Sequence, residues 1–102
     1  MRLEEVLEVV RRISRVAREF GCEVYLFGSY AKGTAVPSSD IDILVVCKKL
    51  PKSVFDKAKI LCEIEEKANI PLVSNIHSII VEEKHAKQII KYLGKTIKIE
   101  PQ

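Results

Sequence analysis

Asp40 and Asp42 are separated by one residue and lead directly into the apolar run Ile43-Leu44-Val45-Val46. Alternate residues of an extended segment share a face, which puts these two Cα atoms roughly 6.5–7 Å apart. Two carboxylates facing one way beside a buried strand repel each other unless cations sit between them. Mg2+ suits such a pair, because it takes one or two carboxylates together with water and phosphate oxygens. Upstream lies a small-residue loop containing Gly28-Ser29 and Lys32-Gly33. Gly28 has no Cβ, so backbone and ligand can approach closely. Ser29 adds a hydroxyl beside freed backbone N–H groups, Lys32 adds a positive charge, and Gly33 lets the loop turn again. A loop of this kind can cradle phosphate oxygens. Loop and carboxylate pair together point to a site for a metal–nucleoside triphosphate. There, two ions about 3.5–4 Å apart would serve the attacking oxygen and the leaving pyrophosphate. Taken singly, a glycine-serine pair is common in turns and an Asp-x-Asp can be a turn cap. Their coupling across one loop carries the reading. Competing signatures fail: the loop has no Walker A spacing, no Gly-x-Gly-x-x-Gly occurs, and apolar residues follow Asp42 where an EF-hand needs ligands.

The surrounding elements would have to position this loop. Residues 2–20 predict a helix, with Leu3, Val6, Leu7, Val10, Ile13, Ala17 and Phe20 on one stripe and Gly21 as its stop. Its acids come early and its arginines late, which suits the helix dipole. The arginines read as a solvated face, with a partner-binding basic patch as the alternative. Glu23 to Phe27 and Ile41 to Cys47 predict strands, the second buried on both faces. One helical turn is expected around Tyr30–Lys32. Ser53 can cap a helix through about residue 68, with Val54, Phe55, Ala58, Ile60, Leu61, Ile64 and Ala68 inward and Asn69 and Pro71 ending it. Leu72 to Val81 predicts a third strand, and Glu82 to Leu93 a last helix stopped by Gly94. Thr96 to Ile99 adds a short strand or a tail. The order helix, strand, strand, helix, strand, helix predicts one α/β (α+β) domain over residues 1–102, a small mixed sheet with helices packed on it.

The chain has 102 residues, 47% apolar and 30% charged, with a net charge of +3. This argues against disorder and permits, without demanding, a polyanionic partner. Binding to nucleic acid is therefore not expected. Short sheet edges leave room for a homo- or hetero-oligomer. Cys22, Cys47 and Cys62 are odd in number and widely spaced, so they read as small buried hydrophobes in a reducing cytoplasm rather than a disulfide framework. No apolar run reaches membrane-spanning length and no signal-peptide pattern opens the chain, so a cytoplasmic location is expected.

Gly28-Ser29, ten further residues and then Asp40-Ile41-Asp42 resembles the signature of the DNA polymerase β-type nucleotidyltransferase superfamily. The fuller strings Phe27 to Gly33 and Ser39 to Val45 are similar to its minimal nucleotidyltransferases, the MNT domains, with tight matching over about residues 24–47. The resemblance implies that Gly28 and Ser29 hold the triphosphate, normally ATP, and that Asp40 and Asp42 hold Mg2+. It implies that Lys32 either touches phosphate or braces the loop. Members of this size often act as antitoxins of a helical HEPN-domain toxin, and some transfer AMP onto a toxin tyrosine. The superfamily usually supplies a third carboxylate from a later strand. Leu72 to Val81 contains no Asp or Glu. The nearest acids are Glu82 and Glu83, which also read as ordinary acids of a helix N-terminus. His77 reads as a partly exposed strand residue or as a base near neutral pH, and His85 as a helix-surface residue. A catalytically weak module that binds nucleotide or masks a HEPN partner is the alternative function.

Overall fold

The computed structural model describes residues 2–70 and 75–101. The first helix, α1 (Leu3–Glu19), buries Val6, Val10, Ile13 and Ala17 of the expected stripe and Val9 beside it, while Leu7 and Phe20 are half-buried and Leu3 is exposed. The Glu5 carboxylate accepts the Arg2 backbone N–H at 3.1 Å and satisfies one of the donors left free at the helix start. Strand β1 (Cys22–Phe27) leads directly into a short helix, α2 (Gly28–Lys32), and β2 (Ile41–Cys47) follows the loop. Helix α3 (Val54–Lys67) crosses to β3 (Ile76–Glu82). Helix α4 (Glu83–Leu93) and β4 (Ile97–Ile99) complete the described elements, so residues 97–99 form a strand rather than a tail.

The four strands form one mixed sheet in the order β3-β2-β1-β4. β1 is antiparallel to both β2 and β4, while β2 and β3 are parallel, joined by the α3 crossover. Both faces of β2 are covered, as its nearly continuous apolar run requires. On one face Ile43 and Val45 pack with the buried side of α1 and with Ile64 of α3. On the other, Leu44 and Val46 pack with Ala86 of α4. The one buried polar side chain among the described residues, Ser14, donates to the Ile99 carbonyl at 3.0 Å and ties α1 to β4.

Two expectations change. First, α3 does not bury the whole predicted stripe. Ser53 caps it, accepting the Asp56 N–H at 3.4 Å, and Ile64 and Ala68 are buried. Val54 and Phe55 remain 80% and 72% exposed, and Ala58 is exposed as well. Its C-terminal half packs on α1, where Arg12 donates to the carbonyls of Ala68 and Asn69, and its first turn has no described element over it. The part of the predicted third strand at residues 72–74, and Pro71 before it, lie outside the described residues. Second, Cys22 and Cys47 are disulfide-bonded and only Cys62 is free. The β1–β2 register places Cys22 opposite Cys47, a relation that spacing along the chain does not disclose.

Candidate functional site

Asp42 is the second residue of β2 and lies between two partners in the sheet. The antiparallel ladder pairs it with Phe27, and the parallel ladder pairs it with His77. It stands where β1 ends and α2 begins. Gly28, the first residue of α2, has φ +72°, and a Cβ there would collide with Asp42 Oδ2. The carboxylate therefore lies in the space that only glycine leaves open. The first N–H groups of α2 have no partner within the helix, and Ser29, half-buried, stands in that first turn. The phosphate-type loop and one aspartate of the pair are thus in direct contact.

The other expected residues are placed less tightly. Lys32 closes α2 about 6 Å along the helix axis from Gly28 and is exposed. Gly33 follows in the left-handed conformation, φ +77°, and the Thr34 N–H returns to the Ser29 carbonyl at 3.0 Å. A turn at Val36–Ser39, closed by Ser39 N–H to the Val36 carbonyl at 2.8 Å, brings the chain back to Asp40. Asp40 is exposed and precedes the strand. The Ile41 N–H is held by the Asn75 carbonyl at 2.7 Å, so the sheet captures the chain just after Asp40.

Glu82 and Glu83 are not brought to the pair. Glu82 lies opposite Cys47 at the far end of β2, five residues or about 16 Å along the sheet from Asp42. Its place in register with Asp42 is taken by His77, whose Nδ1 lies 3.1 Å from Asp42 Oδ1. The His77 side chain is 63% exposed and that of Asp42 22%. The parallel β2–β3 register makes this contact, and spacing along the chain does not disclose it. Ser78 faces the other way and donates to Glu65 on α3 at 3.0 Å, and Asn75 serves the Ile41 N–H through its backbone. His85 is exposed on α4, as expected. Among the described residues no three side chains of His, Cys, Asp and Glu converge tightly enough to hold an ion by themselves. An ion here would need oxygens from substrate or water to complete its shell, which is the usual state of Mg2+ in nucleotide sites. A groove of about 840 Å3 along α3, lined by Phe55, Cys62 and Ile76, contains none of these residues. A second groove, of about 560 Å3, reaches the loop and is lined by Tyr30, Lys32 and Gly33.

The family model for the nucleotidyltransferase domain matches residues 3–100, and the chain belongs to that family. Two proteins of Methanocaldococcus jannaschii, each named "putative protein adenylyltransferase", are 41% identical over 73 residues and 34% identical over 61. The matches cover 69% and 56% of this chain, and 50% and 61% of those relatives' lengths. A crystal structure titled as a "putative nucleotidyltransferase" of Sulfolobus solfataricus superposes with a TM-score of 0.73 at 27% identity, covering 98% of this chain and 84% of that one. The fold is also shared with a chain from a Shewanella oneidensis complex of a tri-AMPylated HEPN toxin with its MNT antitoxin. That match has a TM-score of 0.54 at 14% identity and covers 99% and 74% of the two chains.

Proposed function

We propose that this protein transfers the adenylyl group of ATP to a hydroxyl of a partner protein, and that the partner is a HEPN-domain toxin which it neutralises. The observation that carries this reading is the seating of Asp42 against the bare Cα of Gly28. It joins a loop suited to a triphosphate with a carboxylate suited to a divalent ion. In the reaction, the acceptor oxygen bonds to the α-phosphorus and the bond to the bridging oxygen breaks. Pyrophosphate leaves with that electron pair, and the hydroxyl proton passes to solvent. Ser29 and the N–H groups that open α2 hold the triphosphate, Asp40 and Asp42 hold the divalent ion, and Lys32 balances charge at the loop. The ion supplies electrostatic stabilisation of charge on the phosphate oxygens. The adenylyl donor and the toxin partner are supported by the names of the relatives and by the fold neighbour from a complex of a HEPN toxin with an MNT antitoxin.

The test is incubation with a divalent ion, ATP labelled at the α-phosphate and a folded HEPN-domain partner. Label is expected on the partner and is expected to fall to background with Asp42→Ala. A partner left unlabelled, or labelling that survives the substitution, overturns the reading. One observation favours a second reading, in which the protein binds nucleotide or partner without turnover: no acid faces Asp42 from β3. Calorimetric binding of ATP or partner in the absence of any transfer would establish it.

A further inference from the structure

The register position beside Asp42 is occupied by an imidazole, and its geometry says more than that an acid is missing. Asp42 Oδ1 and His77 Nδ1 lie 3.1 Å apart. Adjacent corners of a coordination octahedron with bonds of about 2.1 Å are themselves about 3 Å apart. The two atoms, within hydrogen-bonding distance of each other here, are thus at the separation of one edge of an octahedral shell. The alternate-residue rule puts both side chains on the same face of the sheet, because paired residues of neighbouring strands point the same way. The ring is well exposed, so Nε2 can keep its proton toward water while Nδ1 offers its lone pair. Asp42 is held from the other side by Gly28, which fixes the carboxylate without occupying Oδ1.

We infer that His77 is a metal ligand, its Nδ1 joining Asp42 Oδ1 on one divalent ion, and that this mixed nitrogen–oxygen edge favours Mn2+ over Mg2+. The inference rests on the reading that Asp42 holds a divalent ion, and it adds which ion and through which second atom. Hard, oxygen-seeking Mg2+ gains little from an imidazole, whereas first-row transition ions accept one readily. A carboxylate in the same position would hold either ion through oxygen. Exchange of acid for histidine therefore moves the preference rather than abolishing the site.

The experiment uses the intact protein and Mn2+, with and without a non-hydrolysable ATP analogue, followed by pulsed electron paramagnetic resonance and by competition with Mg2+. Bound Mn2+ is expected to show nitrogen modulation from a directly coordinated ring, and His77→Ala is expected to remove it. The same substitution is expected to weaken Mn2+ by about 10-fold or more, the order seen when a metal site loses a supporting group, and Mg2+ by much less. His77→Asp is expected to restore Mg2+ relative to Mn2+. Bound Mn2+ without nitrogen modulation in the wild-type protein overturns this inference and leaves the divalent-ion reading intact. Equal weakening of both ions by His77→Ala also overturns it, and marks His77 as a brace for Asp42. Failure of Mn2+ to bind at all, with or without nucleotide, overturns the divalent-ion reading itself.

Discussion

Gly28 and Gly21 allow a controlled comparison at the scale of single residues. Both have positive φ, +72° and +75°, but a Cβ at Gly21 would meet nothing within 4 Å while one at Gly28 meets Asp42. Gly21→Ala is expected to cost only the left-handed backbone penalty, about 1–2 kcal/mol. Gly28→Ala should cost more and should also displace the carboxylate, with nucleotide transfer reduced by at least about 100-fold, the order that small misplacements of reacting groups produce. Urea denaturation and the labelling assay read the two effects separately, and equal behaviour of the two variants would contradict the seating of Asp42. The loop and the aspartates are local in sequence, and their types and spacing could be read directly. His77 could not be read in that way, because its partnership with Asp42 depends on the alignment of strands 35 residues apart.

At the scale of elements, α3 shows the limit of periodicity. Its apolar residues predict an inward face, yet the face is used only from about Ile60 onward. Apolar spacing states which side of a helix can be buried, not how far a neighbour extends along it. Ile64→Ala is expected to cost about 2–5 kcal/mol as a core truncation, and Phe55→Ser to stay within about 0.5 kcal/mol as a surface change. Thermal or chemical denaturation checks both, and a large loss at Phe55 would show that its ring is covered in solution. The strands were more legible. Ile41 to Cys47 announces burial on both sides by its nearly continuous apolar run, broken only at Asp42, and both sides are indeed packed. Glu82 and Glu83 were candidates as the acids at the end of the third strand, and the parallel register sets that end beside Cys47 rather than beside Asp42.

For the molecule as a whole, the Cys22–Cys47 bond encloses a segment that contains Gly28, Ser29, Asp40 and Asp42 but not His77. With a sequence separation of 25, closing such a loop stabilises the fold by about 3.5 kcal/mol through the unfolded chain. The oxidised protein, once denatured, is expected to titrate with the single thiol of Cys62, and reductant is expected to lower the urea midpoint. Three reactive thiols in the oxidised sample, or a midpoint indifferent to reductant, would exclude the bond.

The ordering of the strands has a consequence for how such a protein can diversify. Asp42 stands in an interior strand and is held by a neighbour on either side, while Asp40 is tied to the sheet only through the peptide that follows it. The exposed residues 36–38 can therefore exchange side chains without moving Asp42. The segment free to vary thus ends within two residues of Asp40, and the proposed carboxylate pair begins where the sheet takes hold of the chain.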